Sequence, residues 1–153
     1  MSPKEAKDIL IGDKLLVKSE IKKRSPCSIL SKSQLNILYG CLLGDACLTP
    51  CDISRNVRLR FTQGEKQLDY LNHKIKIFKN IISMKPYEAN SGYNKNKKIY
   101  MVSSKISEQL TSLYNEVYKN NQKNVKYLID RLTPIGFAYW IMDDGCCHHR
   151  KNQ

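Results

Sequence analysis

The chain has 153 residues and 41% of them are hydrophobic, so it is long enough to bury a core and lacks the composition of a disordered chain. Lysine and arginine number 26 against 14 acidic residues, and the formal net charge of +12 indicates a polyanionic partner: DNA, RNA or an anionic membrane surface. No stretch approaches the roughly 20 apolar residues of a transmembrane helix, and the polar N-terminus has no apolar segment of the kind that a secretory signal needs.

The N-terminal segment, residues 1–32, is rich in lysine and weakly periodic, and we interpret it as a basic arm. Ser31 or Ser33 then precedes a run of apolar residues, which predicts a helix with a serine at its N-cap. Between Ile37 and Leu43 this helix is apolar around nearly its whole circumference, so it should be buried on several sides.

Two strands are predicted next. Residues 47–49 form a short run that ends at Pro50, and residues 56–63 alternate between apolar and polar side chains. The apolar face carries Val57, Leu59 and Phe61, and the polar face carries Arg58, Arg60 and Thr62. A half-buried strand with a basic open face accounts for this alternation.

Periodicity and turn signals predict the remaining elements. They are a helix over 65–82, a hairpin over 86–103, an amphipathic helix over 104–118, a polar connector over 120–124, a short helix over 125–131, and a last helix that begins at Thr133-Pro134. The order is therefore helix, two strands, helix, hairpin and helix, followed by a second strongly apolar helix.

The two most apolar helices end in the same way. The first reads Leu38-Tyr-Gly-Cys-Leu-Leu-Gly-Asp45-Ala46 and the second reads Phe137-Ala-Tyr-Trp-Ile-Met-Asp-Asp144-Gly145. Small residues in each would let two helix backbones approach closely. A carboxylate at a helix C-terminus is unfavourable to the helix dipole, so a divalent cation shared by the two acids explains them better than helix stability does. The alternative is two core helices that end in solvated acids.

The paired segments resemble the motifs of LAGLIDADG homing endonucleases, and most closely those of the single-chain members found in mitochondrial group I introns. Residues 40–46 match the first motif and residues 132–145 match the second, within a resemblance that covers about 34–145. It implies an α+β fold, in which an αββαββα half-domain presents a curved antiparallel sheet to the DNA major groove and the motif helices pair. The implied parts are a basic arm at 1–32, a first half-domain at 33–131, and a second motif helix with a truncated tail at 132–153.

In this family the last acid of each motif binds the metal ions, which implies that Asp45 and Asp144 bind about two or three Mg²⁺ ions, with Ala46 and Gly145 beside them. Asp143 is a neighbour of the second acid and is not the first choice as a metal ligand. Further resemblance implies that Lys123, in Asn-Gln-Lys-Asn, is a basic residue of the active site, although it could equally be a solvated lysine. Gln63 is a weaker candidate for a place near the scissile phosphate or the water network.

A sheet in a major groove needs side chains that reach base edges and phosphates. We expect Arg58, Arg60 and Thr62 to make such contacts. From the hairpin, the candidates are Tyr93, Lys95, Lys97, Lys98 and Tyr100. The alternative is an exposed sheet face that is charged for solubility.

The sequence thus predicts a site-specific DNA endonuclease that acts in intron homing, with double-stranded DNA as partner, Mg²⁺ as cofactor and no membrane. A group I intron RNA maturase, or an inactive truncated remnant that binds nucleic acid, is the alternative. Because no second set of strands follows the second motif, we expect a fragment, a dimer, or a piece completed by a second chain. The expected location is the mitochondrion, with the chloroplast as the alternative.

Overall fold

The computed structural model describes residues 29–51, 56–90, 98–120 and 122–145. The first part of the chain follows the order helix, strand, strand, helix, strand, strand, helix. These elements are α1 (Lys32–Leu43), β1 (Cys47–Pro50), β2 (Val57–Gly64), α2 (Leu68–Ile77), β3 (Tyr87–Asn90), β4 (Lys98–Ser103) and α3 (Glu108–Val117). They are followed by β5 (Tyr118–Lys119), β6 (Gln122–Lys123), α4 (Val125–Ile129) and α5 (Pro134–Asp144). The predicted α+β class and αββαββα order are confirmed.

Helix α1 begins where a serine can satisfy its free backbone donors. Ser31 Oγ accepts from the backbone N–H of Gln34 at 3.2 Å, and Gln34 Oε1 accepts from the backbone N–H of Ser31 at 2.9 Å. This capping box selects Ser31 over Ser33 as the N-cap. Gln34 Nε2 also donates to the backbone carbonyl of Ile77 at 2.7 Å, which ties the start of α1 to the end of α2.

The sheet is antiparallel with the strand order β1-β2-β4-β3. Strand β2 alternates between buried and half-buried residues along its whole length, as the sequence predicts. Val57, Leu59 and Phe61 lie on the buried face, against which α2 and α3 pack. Gln63 occupies the next position on that face and is only 2% exposed, so a polar side chain ends the buried row.

Helices α1 and α5 are in direct backbone contact. A Cβ atom added to Gly40 would lie 1.8 Å from the backbone oxygen of Gly136, and one added to Gly136 would lie 2.5 Å from the backbone oxygen of Asn36. The prediction that small residues let these helices approach closely is confirmed. Their C-terminal ends are therefore held side by side.

Two predicted helices have different bounds in the structure. The helix predicted over 65–82 starts as a 3-10 turn at Glu65–Gln67 and ends at Ile77, after which the chain turns so that Phe78 and Ile81 are buried. The helix predicted over 104–118 begins only at Glu108. Residues 104–107 are held extended by backbone hydrogen bonds, because Ser104 and Ser107 donate to Leu59 and Val57 of β2, and Lys105 donates to Ile81.

The connector predicted over 120–124 instead contains β6, which pairs with β5 as a small hairpin, and Asn124, which is the N-cap of α4. Asn120 lies at the turn with φ of 51°, a left-handed conformation that asparagine tolerates better than most residues. The hairpin brings Lys123 opposite Tyr118 and back towards α1. None of the helices in the described ranges is long and apolar enough to cross a membrane.

Candidate active site

Several elements converge where α1 and α5 end. Asp45 follows α1, Asp143 and Asp144 are the last residues of α5, and Gln63 lies near the end of β2. Gly44 makes this convergence possible, because a Cβ atom there would lie 2.4 Å from Cβ of Asp143. The structure thus brings both predicted motif acids and Gln63 to one place.

Asp45 is exposed, and its carboxylate lies among other acids. Its Oδ2 accepts a hydrogen bond from Gln63 Nε2 at 3.1 Å. Desolvation raises the pKa of Asp45 above its ordinary value, and the nearby charges of Asp143 and Asp144 raise it further, while Lys74 and Gln63 oppose the shift. A cation bound at this point would relieve the repulsion between the acids.

The two acids at the end of α5 lie in different environments. The Asp143 side chain is 0% exposed and pairs with Lys74, whose Nζ lies 2.5 Å from Asp143 Oδ1. Asp144 is exposed and accepts a hydrogen bond from Trp140 Nε1 at 3.2 Å. Asp144 is therefore the acid that is open to an ion from solvent.

Lys123 lies beside the motif acids. Its Nζ donates to the backbone carbonyl of Leu42, in the last turn of α1, at 2.5 Å. Burial lowers the pKa of Lys123, whereas the charges of Cys47, Asp144 and Asp45 act to raise it. The small hairpin, which the sequence analysis missed, is what carries Lys123 to this position.

Lys74 is a residue that the sequence analysis did not single out. It is 0% exposed, and its Nζ lies 4.3 Å from the ring centroid of Tyr70 and 5.2 Å from that of Phe61. The available signal was its spacing, because Lys74 falls three residues after Leu71 and four before Phe78, on the buried side of α2. A lysine on the apolar face of a helix requires a partner, which here is Asp143.

The carboxylate pair fits Mg²⁺, which proteins usually hold with one or two carboxylates plus water and phosphate. No cluster of three or more His, Cys, Asp or Glu residues suited to a metal occurs among the residues that the structure describes. In the described part of the chain, Asp45 and Asp144 are therefore the two acids at these helix ends that an ion from solvent could reach. Ala46 and Gly145 each use their backbone N–H to close the preceding helix, at 2.9 Å from Cys41 O and 2.7 Å from Ile141 O, so only their carbonyl groups could face an ion.

The polar face of β2 carries Arg58, Arg60 and Thr62, each half-buried. Arg58 Nη2 donates to Cys51 Sγ at 3.1 Å, which holds this arginine over the β1 side of the sheet. Arg60 lies opposite Cys47 and Ser103 in the neighbouring strands, and its Nε is buried without a hydrogen-bond partner in the described part of the chain. These side chains line the sheet face that the helices leave uncovered.

The register separates the hairpin candidates from that face. Tyr100 pairs with Gln63, so Tyr100 and Lys98 lie on the same sheet face as Gln63, opposite to Arg58 and Arg60. Lys98 is exposed and forms an ion pair with Glu88 at 3.3 Å. Met101, which pairs with Thr62, shares the arginine face instead. Tyr93, Lys95 and Lys97 lie outside the described residues.

The profile of the LAGLIDADG DNA endonuclease family matches residues 35–153. The chain belongs to this family. Its fold is shared with the homing endonuclease I-WcaI bound to its DNA recognition sequence, with a TM-score of 0.64 and 24% identity over 76% of this chain and 53% of that chain. The family assignment agrees with the paired acidic helix ends.

The chain is also similar in sequence to proteins with different names. RecA of Mycolicibacterium chitae is 33% identical over 92% of this chain and 31% of that protein. Cytochrome b mRNA maturase bI2 of Debaryomyces hansenii is 31% identical over 76% of this chain and 47% of that protein. DNA endonuclease I-ChuI of Chlamydomonas applanata is 27% identical over 76% of this chain and 59% of that protein. This LAGLIDADG chain thus spans about a third to three fifths of these relatives.

Proposed function

We propose that this chain supplies the first half, and the motif helix of the second half, of a site-specific DNA endonuclease that hydrolyses phosphodiester bonds with Mg²⁺. The observation that carries the proposal is that Asp45, Asp144 and Lys123 lie together at the adjoining ends of two helices in backbone contact. Paired carboxylates with a neighbouring ammonium group are suited to a phosphate and its counter-ions.

In this proposal Asp45 and Asp144 are the metal ligands, with Ala46 and Gly145 beside them. Bound Mg²⁺ would polarise the phosphate and lower the pKa of attacking water. Lys123 neutralises negative charge that develops on the phosphate, and its lowered pKa makes proton transfer to the leaving oxygen easier. Gln63 restricts the rotation of the Asp45 carboxylate through its hydrogen bond to Oδ2.

The proposed DNA-binding surface is the open sheet face around Arg58, Arg60 and Thr62. The net charge of +12 favours binding to phosphates, and the half-buried arginines are fixed by the strand rather than free in solvent. Lys98 and Tyr100, on the other sheet face, are proposed to contact phosphates at the edge of the duplex rather than bases. The loop residues Tyr93, Lys95 and Lys97 remain predicted contacts.

The outer side of α5 supports the proposal that a second half-domain completes the protein. Ile135, Phe137 and Ile141 are 49%, 49% and 50% exposed on this helix. Apolar side chains grouped in this way are typical of an interface. The second half could come from further residues of a longer chain or from a second chain.

The test is cleavage of duplex fragments that tile the intronless form of the host gene, with Mg²⁺ and the longer chain or dimer that includes the second half. Asp45→Asn and Asp144→Asn should each abolish cleavage, because each removes a proposed metal ligand. Asp130→Asn, which neutralises an exposed acid just after α4, is the matched control and should cleave normally. Cleavage that survives Asp45→Asn would exclude the proposed chemistry.

A group I intron maturase is the second candidate, supported by the relative named cytochrome b mRNA maturase bI2. In a splicing assay with the host intron RNA, a maturase should keep its effect in Asp45→Asn, since RNA binding does not need the metal ligands. A chain that binds DNA without cutting it and does not promote splicing would instead be the inactive remnant. The same relative supports the proposed location in a mitochondrion, with a chloroplast as the alternative.

A further inference from the structure

A buried ion pair joins α2 to α5 next to the proposed metal ligands. Lys74 and Asp143 are both 0% exposed in their side chains, with Nζ and Oδ1 2.5 Å apart. The rings of Tyr70 and Phe61 lie beside the ammonium group. Charges buried in this way are costly to desolvate and give little net stability, so stability alone does not explain the pair.

Gln63 connects this ion pair to Asp45. Its Nε2 atom donates to Asp143 Oδ1 at 3.2 Å and to Asp45 Oδ2 at 3.1 Å. An amide nitrogen has two hydrogens, and both are used on these two carboxylates. Gln63 is 2% exposed, so water has little access to replace either bond.

The position of Asp143 depends on more than its charge. Gly44 leaves the space that Asp143 occupies, since any side chain there would collide with its Cβ atom. Oδ1 of Asp143 is already occupied by Lys74 and Gln63, and its Oδ2 is buried with no hydrogen-bond partner among the described residues. Asp143 is thus closed off from an ion in solvent, whereas its neighbour Asp144 is exposed.

We propose that Lys74 and Asp143 are positioning residues: through Gln63, their ion pair fixes the Asp45 carboxylate in the orientation that binds the metal ion. This inference rests on the proposed function, in which Asp45 is a ligand. Lys74 and Asp143 do not touch the ion or the DNA. The contacts run from Lys74 on α2 to Asp143 on α5, and from there through Gln63 on β2 to the Asp45 carboxylate at the end of α1.

The test uses the double variant Lys74→Met/Asp143→Asn in the full chain. It removes both charges together, so neither is left buried without its partner, and it keeps the approximate shape of both side chains. The control is Lys126→Met/Asp130→Asn, which makes the same two substitutions in the exposed ion pair of α4. Leu71→Ala, on the buried side of α2, controls for loss of stability without loss of charge.

Two quantities are measured for each variant. One is the affinity for Mn²⁺ without DNA, from the electron paramagnetic resonance signal of the free ion. The other is the cleavage rate at saturating DNA and Mg²⁺. Because residues that orient a ligand commonly contribute this much, the double variant should lose about tenfold or more in one or both quantities. Both controls should match the wild-type chain, and the melting temperature of the double variant should not fall below that of Leu71→Ala.

Wild-type Mn²⁺ affinity and cleavage rate in the double variant would overturn the inference, because the pair would then be structural only. An equal loss in Leu71→Ala would overturn it as well. If the double variant does not fold, Gln63→Met alone decides, since it removes the hydrogen bonds to Asp45 and Asp143 and leaves the Lys74–Asp143 ion pair in place. Wild-type Mn²⁺ affinity and cleavage rate in Gln63→Met would likewise overturn the inference.

Failure of the proposed function gives a different result. A wild-type chain that binds Mn²⁺ but cleaves no DNA contradicts the nuclease proposal, while the Mn²⁺ affinities of the variants still decide the role of the pair. A wild-type chain that binds no Mn²⁺ overturns the inference itself.

Discussion

Helices α1 and α5 are both short and apolar, and each has an acid at its C-terminal end. Their side chains nevertheless lie in different surroundings. Leu38 lies seven residues before Asp45 and is 0% exposed. Phe137 lies seven residues before Asp144 and is 49% exposed. Three residues before each acid, Leu42 is 0% exposed and Ile141 is 50% exposed. One motif helix is therefore enclosed by a core, whereas the other is covered by α1 and α2 on one side and exposed on the opposite side.

This difference shows what an apolar helix in a sequence can and cannot predict. The pattern predicts that a helix will be buried on several sides, but the burial depends on the layer that packs against it. For α1 that layer is the first half-domain. For α5 it would be the proposed second half-domain.

The largest expected effect comes from truncating the equivalent positions. Leu38→Ala should lower the free energy of unfolding by about 2–5 kcal/mol, because it opens a cavity in a closed core. Phe137→Ala should lower it by less than about 1 kcal/mol, since half of the ring is already in solvent. Urea denaturation of both variants measures the contrast. Equal losses would mean that α5 is also enclosed in solution, for example by a second copy of the chain.

Metal binding should stabilise the fold through both helix ends. An ion that binds only the folded state raises the free energy of unfolding. At a Mn²⁺ concentration about a hundred times the dissociation constant, this increase should be about 2.7 kcal/mol. Asp45→Asn and Asp144→Asn should each reduce that gain, because the ion would need a carboxylate from each helix. Thermal melts with and without Mn²⁺ provide the measurement. A gain that depends on only one acid would show that the helices do not share the ion.

The contact between the helices can be tested at Gly40. Gly40→Ala should cost about 1–3 kcal/mol, because the added methyl group forces α5 away from α1. Gly64→Ala is the control, since a Cβ atom there meets nothing within 4 Å. Unfolding by urea should separate the two substitutions. Similar losses in both would indicate that α1 and α5 are further apart in solution.

The smallest expected effect is the pH dependence that arises from Asp45. Its raised pKa, caused first by desolvation and then by Asp143 and Asp144, means that ionisation of Asp45 costs stability above its folded-state pKa. Asp45→Asn should therefore raise stability at neutral pH, by less than about 1 kcal/mol after solvent screening. This advantage should vanish as the pH falls through the folded pKa towards 3.8, the ordinary value. Melting temperatures between neutral and acidic pH test this, and a gain that persists in acid would contradict it.

Local patterns were sufficient for much of the fold. The two-residue alternation of β2 correctly predicted which side chains are buried, and Thr133 and Ser31 each cap the helix that the sequence predicted. The predicted start of α3 was wrong by several residues, because the backbone N–H groups of Ser104 and Ser107 bond to β2 and hold the chain extended. That error could not be avoided, since nothing local in residues 104–107 specifies a partner strand.

The sequence by itself determined the family, the paired acidic helix ends and the basic face of β2, because each depends on residue types at short, regular spacing. Only the tertiary structure decided that Asp143 is paired with Lys74 while Asp144 is exposed, and that Lys98 and Tyr100 lie on the sheet face opposite to Arg58 and Arg60. The reason is that an ion pair between helices and the register between strands join residues that are far apart in the chain. Their contacts depend on how the elements pack, and periodicity within one element carries no information about it.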